Sequence, residues 1–463
     1  MVRRGFRSSR LFLFGYFALL MLIGAILLKI LPTWAGEAPL SFVDALFTSV
    51  SAVAVTGLIT VNTASFHPLG QAIILMLIQL GGLGVIAFST LYLTQPRRRI
   101  SLQRRAIIRE YFIGSLEYEP RRIVRNIVVA TVVSEIVVAL LLAPAFARAG
   151  VDRVAFTALF HAVSAFCNAG FSTFADSLER FAGNPGVLLP IMAAFVVGGL
   201  GFVVYQDLYR RFLQPRLQPR RPGEVGSGRD VSRRRHVLSL HTRIVLVATG
   251  TLIVVGFVAF LLFERQTLDS LPSNARWLAA LFQSVTPRTA GFNTIPQDQL
   301  SGPGTVLTMV FMFTGGAPGS IAGGVKVTTV FLILLAAFNV TDESGDARLF
   351  RRKLPSQVIS RALLFVTRAL LIVVASFLLL TITELLVAGA GFTFRELSFE
   401  TLSAFGTVGL STGITGSLTA AGKAVIMLTM FAGRVGIISL AVPARGRRWQ
   451  GQIDYPAGEV LIG

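Results

Sequence analysis

The chain has 463 residues, 53% of them hydrophobic and only 14% charged, and its mean hydropathy is +0.69. A soluble chain carries about 25% charge, so the composition excludes a soluble enzyme and a disordered protein, and the single cysteine, Cys167, excludes a disulfide scaffold. The net charge of +20 would suit a nucleic-acid partner, but the arginines lie in clusters between apolar segments and form no separate basic stripe, so nucleic acid is excluded and a polytopic membrane protein remains.

A helix needs about 20 apolar residues to cross hydrocarbon, and eight stretches qualify: 11–31, 69–94, 123–147, 186–209, 242–263, 304–338, 358–388 and 420–442. The first follows Arg3, Arg4, Arg7 and Arg10 and ends near Thr33-Trp34-Ala35-Gly36, as a signal peptide would. Its apolar run is too long for a signal core, so it reads as a retained helix. Further basic clusters run from Arg97 to Arg125, Arg210 to Arg235 and Arg348 to Arg368, with a last one at Arg445, Arg447 and Arg448. They follow every second span, which the positive-inside rule assigns to the cytoplasm. Both termini are therefore expected in the cytoplasm of a multi-pass protein of the cell inner membrane. The chain divides into units 1–96, 123–211, 241–340 and 358–442, joined by basic segments 97–122, 212–240 and 341–357 and ending in a tail, 443–463.

Each of the four outer connections carries a second apolar segment too short to cross: 41–54, 153–167, 275–288 and 395–406. They read DALFTSVSAVAVTGL, TALFHAVSAFCNAGF, AALFQSVTPRTAGF and FETLSAFGTVGL. Their glycines, Gly57, Gly170, Gly291 and Gly409, are 113, 121 and 118 residues apart. That interval marks a fourfold repeat of helix, re-entrant half-helix, extended segment and helix. The expected fold is an all-α polytopic membrane protein with four helix–pore-loop–helix repeats around a pseudo-fourfold axis, like a potassium channel.

Uncoiled backbone at membrane depth persists only when buried in protein or lining a wet cavity. Four such segments meeting on one axis can point carbonyl oxygens inward and replace the hydration shell of a monovalent cation. Glycine suits the position because it takes positive φ without a Cβ clash, and each half-helix turns a partially negative C-terminus toward the centre. The competing reading, four outer loops with turn glycines, leaves the constant interval unexplained.

These residues resemble the Trk/Ktr/HKT superfamily of potassium transporters, and within it the membrane subunit of the bacterial Ktr system. The resemblance runs over nearly the whole chain, through SFVDALFTSVSAVAVTGL, GQAIILMLIQLGGLG, FHAVSAFCNAGFS, QSVTPRTAGFNT, SAFGTVGLSTGIT and the closing VLIG. It implies potassium uptake through one selectivity filter built from Val55, Thr56 and Gly57, from Asn168, Ala169 and Gly170, from Thr289, Ala290 and Gly291, and from Thr407, Val408 and Gly409. It also implies a homodimer on a cytosolic ring of regulatory subunits that bind ATP or ADP, docked through 97–125 and 445–463. The same arginines equally suit anionic headgroups of the lipid bilayer.

The sixth span breaks the repeat. Gly315, Gly316, Pro318, Gly319, Gly323 and Gly324, with Ser320 among them, cannot sustain a helix. The matching stretches of the first two repeats keep only Gly81-Gly82 and Gly198-Gly199, so the break is expected in this one place. A loop there would obstruct an axial pore and, by resemblance, is an intramembrane gate; a packing kink is the other reading. The stretch also approaches a nucleotide-binding loop, but Val325 stands where lysine is required and no soluble strand precedes it. Arg434, in the middle of the last span, must face protein or water. It is expected to reach carbonyls of the glycine loop or to act as an electrostatic barrier, and the family carries an arginine there. Lys326 closes the loop, against a carbonyl or at the inner mouth. Glu135 and Glu384 are either proton or ion sites or partners of an interhelical donor. Arg288 is expected to turn away from the filter and brace it against Asp298, and Cys167 to pack beside the second segment. His67, His161, His236 and His241 lack ligand spacing, so potassium is the one expected ion, with sodium open as an activator and no cofactor in the chain. Two other functions compete with potassium uptake: a proton- or sodium-coupled symporter of another small cation or solute, which needs carboxylates converging at mid-depth, and a membrane hydrolase, which needs a nucleophile–base pair that the spans do not show.

Overall fold

The computed structural model describes residues 2–94, 120–212, 238–269, 271–338, 347–350 and 352–436. Nearly all of the basic segment 97–122, most of 212–240, part of 341–357 and the whole tail 443–463 lie outside them, and so do the docking residues expected there.

The regular secondary structure of the described residues is helical apart from one antiparallel hairpin pairing Ala347–Leu349 to Arg352–Leu354. The first unit contains α1 (Val2–Ile30), α2 (Phe42–Ala54) and α3 (Pro68–Thr94). The second contains α4 (Pro120–Arg148), α5 (Val154–Phe166), α6 (Pro185–Leu200) and α7 (Phe202–Phe212). The third contains α8 (Leu240–Phe263), α9 (Ser273–Val285), α10 (Gly302–Phe313) and α11 (Val327–Phe338). The fourth contains α12 (Ser356–Thr381), α13 (Phe394–Gly406) and α14 (Ala420–Phe431).

The first helix of every unit is long and apolar enough to cross a membrane, and at most 33% of each such window is buried. Leu140, Val254 and Leu371 lie 60–70% exposed on these helices. An apolar belt of this extent is a surface made for lipid. The short helices α2, α5, α9 and α13 lie inside it and bury almost every side chain of their last two turns, small and polar ones included.

The second helices carry the interruptions. As expected, the third is split, with α10 and α11 separated by an extended stretch from Thr314 to Lys326. Contrary to expectation, the 186–209 span is broken too: α6 and α7 meet at 99°. Gly201, at φ 82°, makes the corner. The cause lies in the third unit, whose loop docks there: Phe202 N donates to Gly319 O at 3.1 Å, and a Cβ on residue 201 would come within 2.7 Å of Pro318 O. The last span follows α14 through a π turn, Ala432–Gly436, where the described residues end.

Side-chain caps set the helix starts. Ser41, Ser239, Ser301 and Thr419 each accept from the amide three residues on, and Thr393 with Glu396 forms a reciprocal capping box. Two buried glutamates reinforce this. Glu264 accepts from Ser301 N at 2.9 Å and Ser301 Oγ at 2.7 Å, and Glu384 accepts from Thr419 N at 3.2 Å and Thr419 Oγ1 at 2.6 Å. Each ties the end of a first helix to the positive N-terminus of the second helix of its unit. Gly304 and Gly422 are required beside them, because a Cβ at either would overlap the carboxylate. Glu384 is thus occupied as a partner of an interhelical donor. Glu384→Ala should lower the stability of the detergent-solubilised protein by about 1–3 kcal/mol, read as a fall in melting temperature, with Glu384→Gln recovering most of it.

Candidate functional site

Each half-helix ends in the same turn. Val55 and Thr407, directly after α2 and α13, and Asn168, one residue beyond the C-cap Cys167 of α5, take φ of 50–58°, and Thr289 takes 70° in the third unit. Two residues later each glycine again has positive φ: 94° at Gly57, 71° at Gly170, 78° at Gly291 and 95° at Gly409. In units one, two and four the residue between them closes the helix, with Thr56 N to Ser51 O at 2.8 Å, Ala169 N to Ser164 O at 2.7 Å and Val408 N to Ser403 O at 2.9 Å. Valine and threonine in the left-handed region are strained, whereas asparagine tolerates it, so units one, three and four hold a strained residue where unit two holds Asn168.

The four glycines close a ring. A Cβ on Gly57 would overlap Ala169 O, one on Gly291 would overlap Val408 O, and one on Gly409 would overlap Thr56 O. On Gly170 it would lie 2.7 Å from the Cα of Gly291 and 3.0 Å from Ala290 O. Unit one therefore abuts two, two abuts three, three abuts four and four abuts one. Only glycine permits this approach of backbone to backbone. Asn168 links units two and three: its amide lies 3.3 Å from Thr289 Oγ1, and with Oδ1 accepting there, Nδ2 donates to Phe195 O and Phe166 O. On the outer side Glu179 accepts from Asn293 Nδ2 at 2.6 Å. Burial, and then the neighbouring Asp176, hold its carboxyl above the usual range against that hydrogen bond.

The residues behind the ring were not singled out from sequence. Ser51 Oγ accepts from Gly57 N at 3.0 Å and Ser403 Oγ from Gly409 N at 3.1 Å, whereas Ser164 and Thr286 donate to the carbonyls of Phe171 and Phe292. His161 bridges Thr157 O and Ser172 Oγ at 2.8 and 3.0 Å. Glu400 accepts from Ser411 Oγ, from Thr412 N at 3.1 Å and from Thr415 Oγ1 at 2.9 Å. The available signal was a hydroxyl residue six places before the glycine in units one, two and four and five places before it in unit three, with His161 and Glu400 nine places before theirs.

Below the ring lies the loop from Thr314 to Lys326. Its limbs pair through Gly315 N to Val325 O at 2.8 Å and Val327 N to Gly316 O at 3.1 Å. Ala317 N donates to Gly199 O of the second unit at 2.9 Å, and Ser320 folds back on Ala317 O at 2.6 Å. Gly323 faces Thr407 Oγ1 so closely that a Cβ would overlap it, and Gly324 lies against Gly315. The loop thus touches the second unit at one end and the fourth segment at the other. Lys326 donates to Ala322 O at 2.6 Å, within the loop. Arg434, 3% exposed, donates to Ile321 O and lies 3.5 Å from Gly81 O.

One expectation resolves differently, that Arg288 braces the segment against Asp298; Glu135 and Cys167 take roles anticipated for them. Arg288 does not meet Asp298; its Nη2 lies 3.4 Å from Thr249 Oγ1 of α8, because its side chain turns outward to the first helix of its own unit. Glu135 takes Gln79 Nε2 at 3.1 Å, so it too meets an interhelical donor. Cys167 packs beside the second segment but is also polar in use, 3.3 Å from Gln79 Oε1 and 3.8 Å from Glu135 Oε1.

Residues 21–451 match the family model TrkH, described as cation transport protein. The chain belongs to that family. Among TrkH-family relatives, the Ktr system potassium uptake protein B of Vibrio alginolyticus is 35% identical over 96% of this chain and 92% of its own length. The potassium/sodium uptake protein NtpJ of Enterococcus hirae is 33% identical over 100% of this chain and 98% of its own. The crystal structure of the potassium transporter TrkH from Vibrio parahaemolyticus shares the fold, with a TM-score of 0.68 at 21% identity over 94% of this chain and 84% of that one. These relatives are cation transporters and not enzymes, in keeping with the resemblance read from the four segments.

The packing under the ring has a direct chemical test. A Cβ on Gly82 would lie 3.7 Å from the Cβ of Cys167, close to the mean separation of about 3.8 Å in disulfides. Gly82→Cys should therefore lose both thiols on mild oxidation, whereas Gly250→Cys, with open space around it, should keep both; free thiols in the oxidised Gly82→Cys protein would contradict the packing.

Proposed function

We propose that this TrkH-family protein takes up potassium across the inner membrane through a pore on the axis of the glycine ring. The closure of the ring carries the reading: four segments with alternating backbone twist bring the carbonyls of Thr56, Ala169, Ala290 and Val408 beside four glycines. Those carbonyls, with the flanking ones of Val55, Asn168, Thr289 and Thr407, replace the water around a monovalent cation. The C-termini of α2, α5, α9 and α13 favour positive charge there without any carboxylate in the path.

The gate in this proposal is the loop with Gly315, Gly316, Gly319, Ser320, Gly323 and Gly324, held by Lys326 and Arg434. Arg434 occupies the place of Gly82, Gly199 and Gly316: the preceding residues Gly81, Gly198, Gly315 and Gly433 recur every 117 or 118 residues. A guanidinium hydrogen-bonded to Ile321 O both fastens the loop and sets a positive barrier below the ring. Both termini lie in the cytoplasm, and the active assembly is a homodimer on a cytosolic nucleotide-binding subunit that carries the ATP or ADP. A coupled symporter is less well supported, since Glu384 is occupied by the cap of α14 and Glu135 has no counterpart in another unit.

Gly57→Ser and Gly291→Ser should each reduce rubidium-over-sodium discrimination in liposome flux by about tenfold, equivalent to about 1.4 kcal/mol, because the new Cβ displaces a ring carbonyl. Unchanged discrimination would refute the filter. Deleting 315–324, or the milder Arg434→Gln, should raise rubidium flux severalfold; flux at the unaltered level would refute the gate.

A further inference from the structure

Arg288 is the odd residue of the ring. It stands three places before Gly291, where the other units have Ala54, Cys167 and Gly406. It is 8% exposed, and among the described residues its Nε has no acceptor and its side chain makes one hydrogen bond, the 3.4 Å contact of Nη2 with Thr249 Oγ1. The ion pairs found among the described residues do not include it. Burying an arginine without a carboxylate is strongly unfavourable, and a simple brace against Thr249 would need only a neutral donor.

The placement gives the charge an effect. The guanidinium turns toward α8, behind the wall made by Thr289, Ala290 and Gly291, so it does not obstruct the axis. It also stands three residues beyond the end of α9, whose C-terminus carries partial negative charge. The corresponding positions after α2, α5 and α13 are the uncharged Ala54, Cys167 and Gly406, so Arg288 is the fixed positive charge set beside a half-helix end, whereas Arg434 and Lys326 lie below the ring on the glycine loop. We propose that Arg288 is a positioning residue for transport that sets how weakly the ring holds its cation. Passage requires binding firm enough to admit the ion and loose enough to release it, and Arg288 supplies the second half of that balance. The inference rests on the filter reading above.

The test is rubidium uptake by the full-length protein in liposomes, with KM and Vmax measured separately. A unit charge about 10 Å from the ion at an effective dielectric constant near 20 corresponds to roughly a tenfold change in affinity. Arg288→Met should lower the KM for rubidium by about that factor without raising Vmax, and Arg288→Lys should restore it. Thr249→Asp leaves the arginine in place but neutralises it and should lower KM in the same direction, so it decides the matter even if Arg288→Met does not fold. An unchanged KM in Thr249→Asp, or Arg288→Lys behaving as Arg288→Met does, would overturn the proposal and leave a brace. Gly291→Ser, run alongside, separates the two claims: lost discrimination there with no KM change in Thr249→Asp sinks the charge effect alone, and intact discrimination sinks the filter beneath it.

Discussion

The structure depends on one constraint, that uncoiled peptide groups inside a membrane must be satisfied by protein or by what passes between them. Each unit meets it on three sides. The half-helix takes the amide after the turn, a serine or threonine behind the segment takes a glycine amide or supports the next carbonyl, and the neighbouring unit takes the space a Cβ would fill. The carbonyls of Thr56, Ala169, Ala290 and Val408 lie beside the glycines of the neighbouring units. In the proposed function the cation completes their hydrogen-bonding capacity, so selectivity and foldability draw on the same oxygen atoms.

Breaking the symmetry is the second theme. The ring needs four near-equal units, whereas a gate needs one direction to differ. The third unit supplies a loop in place of a helical turn, the second bends at Gly201 to receive it, and the fourth replaces a glycine with Arg434 to hold it. The first unit keeps its helix unbroken and contributes Gly81 O and the flat surface of Gly82. The three departures fit one another and the unbroken first unit, which is why one sequence-level signal, the glycine cluster, could not reveal them all.

Much of the fold was legible because its signals are local or periodic. The interval between Gly57, Gly170, Gly291 and Gly409 reported the repeat, and the Gly315–Gly324 cluster reported the split of the sixth span. The bend at Gly201 was hidden, since its cause is Pro318 and Gly319 in another unit. Glu384 was recognised as intramembrane, but the decisive partner, the N-cap Thr419, lies 35 residues away. Arg288 was assigned to Asp298 by proximity in sequence, whereas the outward turn of the side chain selects Thr249. Ser51, Ser403 and Glu400 were passed over because they stand among other polar residues of their half-helices, Thr48 and Ser49 in α2 and Ser398 and Thr401 in α13, and only the segment they support sets them apart.

The most direct measurement of the central claim is a crystal or cryo-electron microscopy structure with rubidium or thallium in place of potassium, using the anomalous or difference signal to locate the ion. The account predicts one strong peak on the common axis of Gly57, Gly170, Gly291 and Gly409, within coordination distance of carbonyls from all four units. A dry axis, with ions bound instead at side-chain carboxylates such as Glu135, would contradict it.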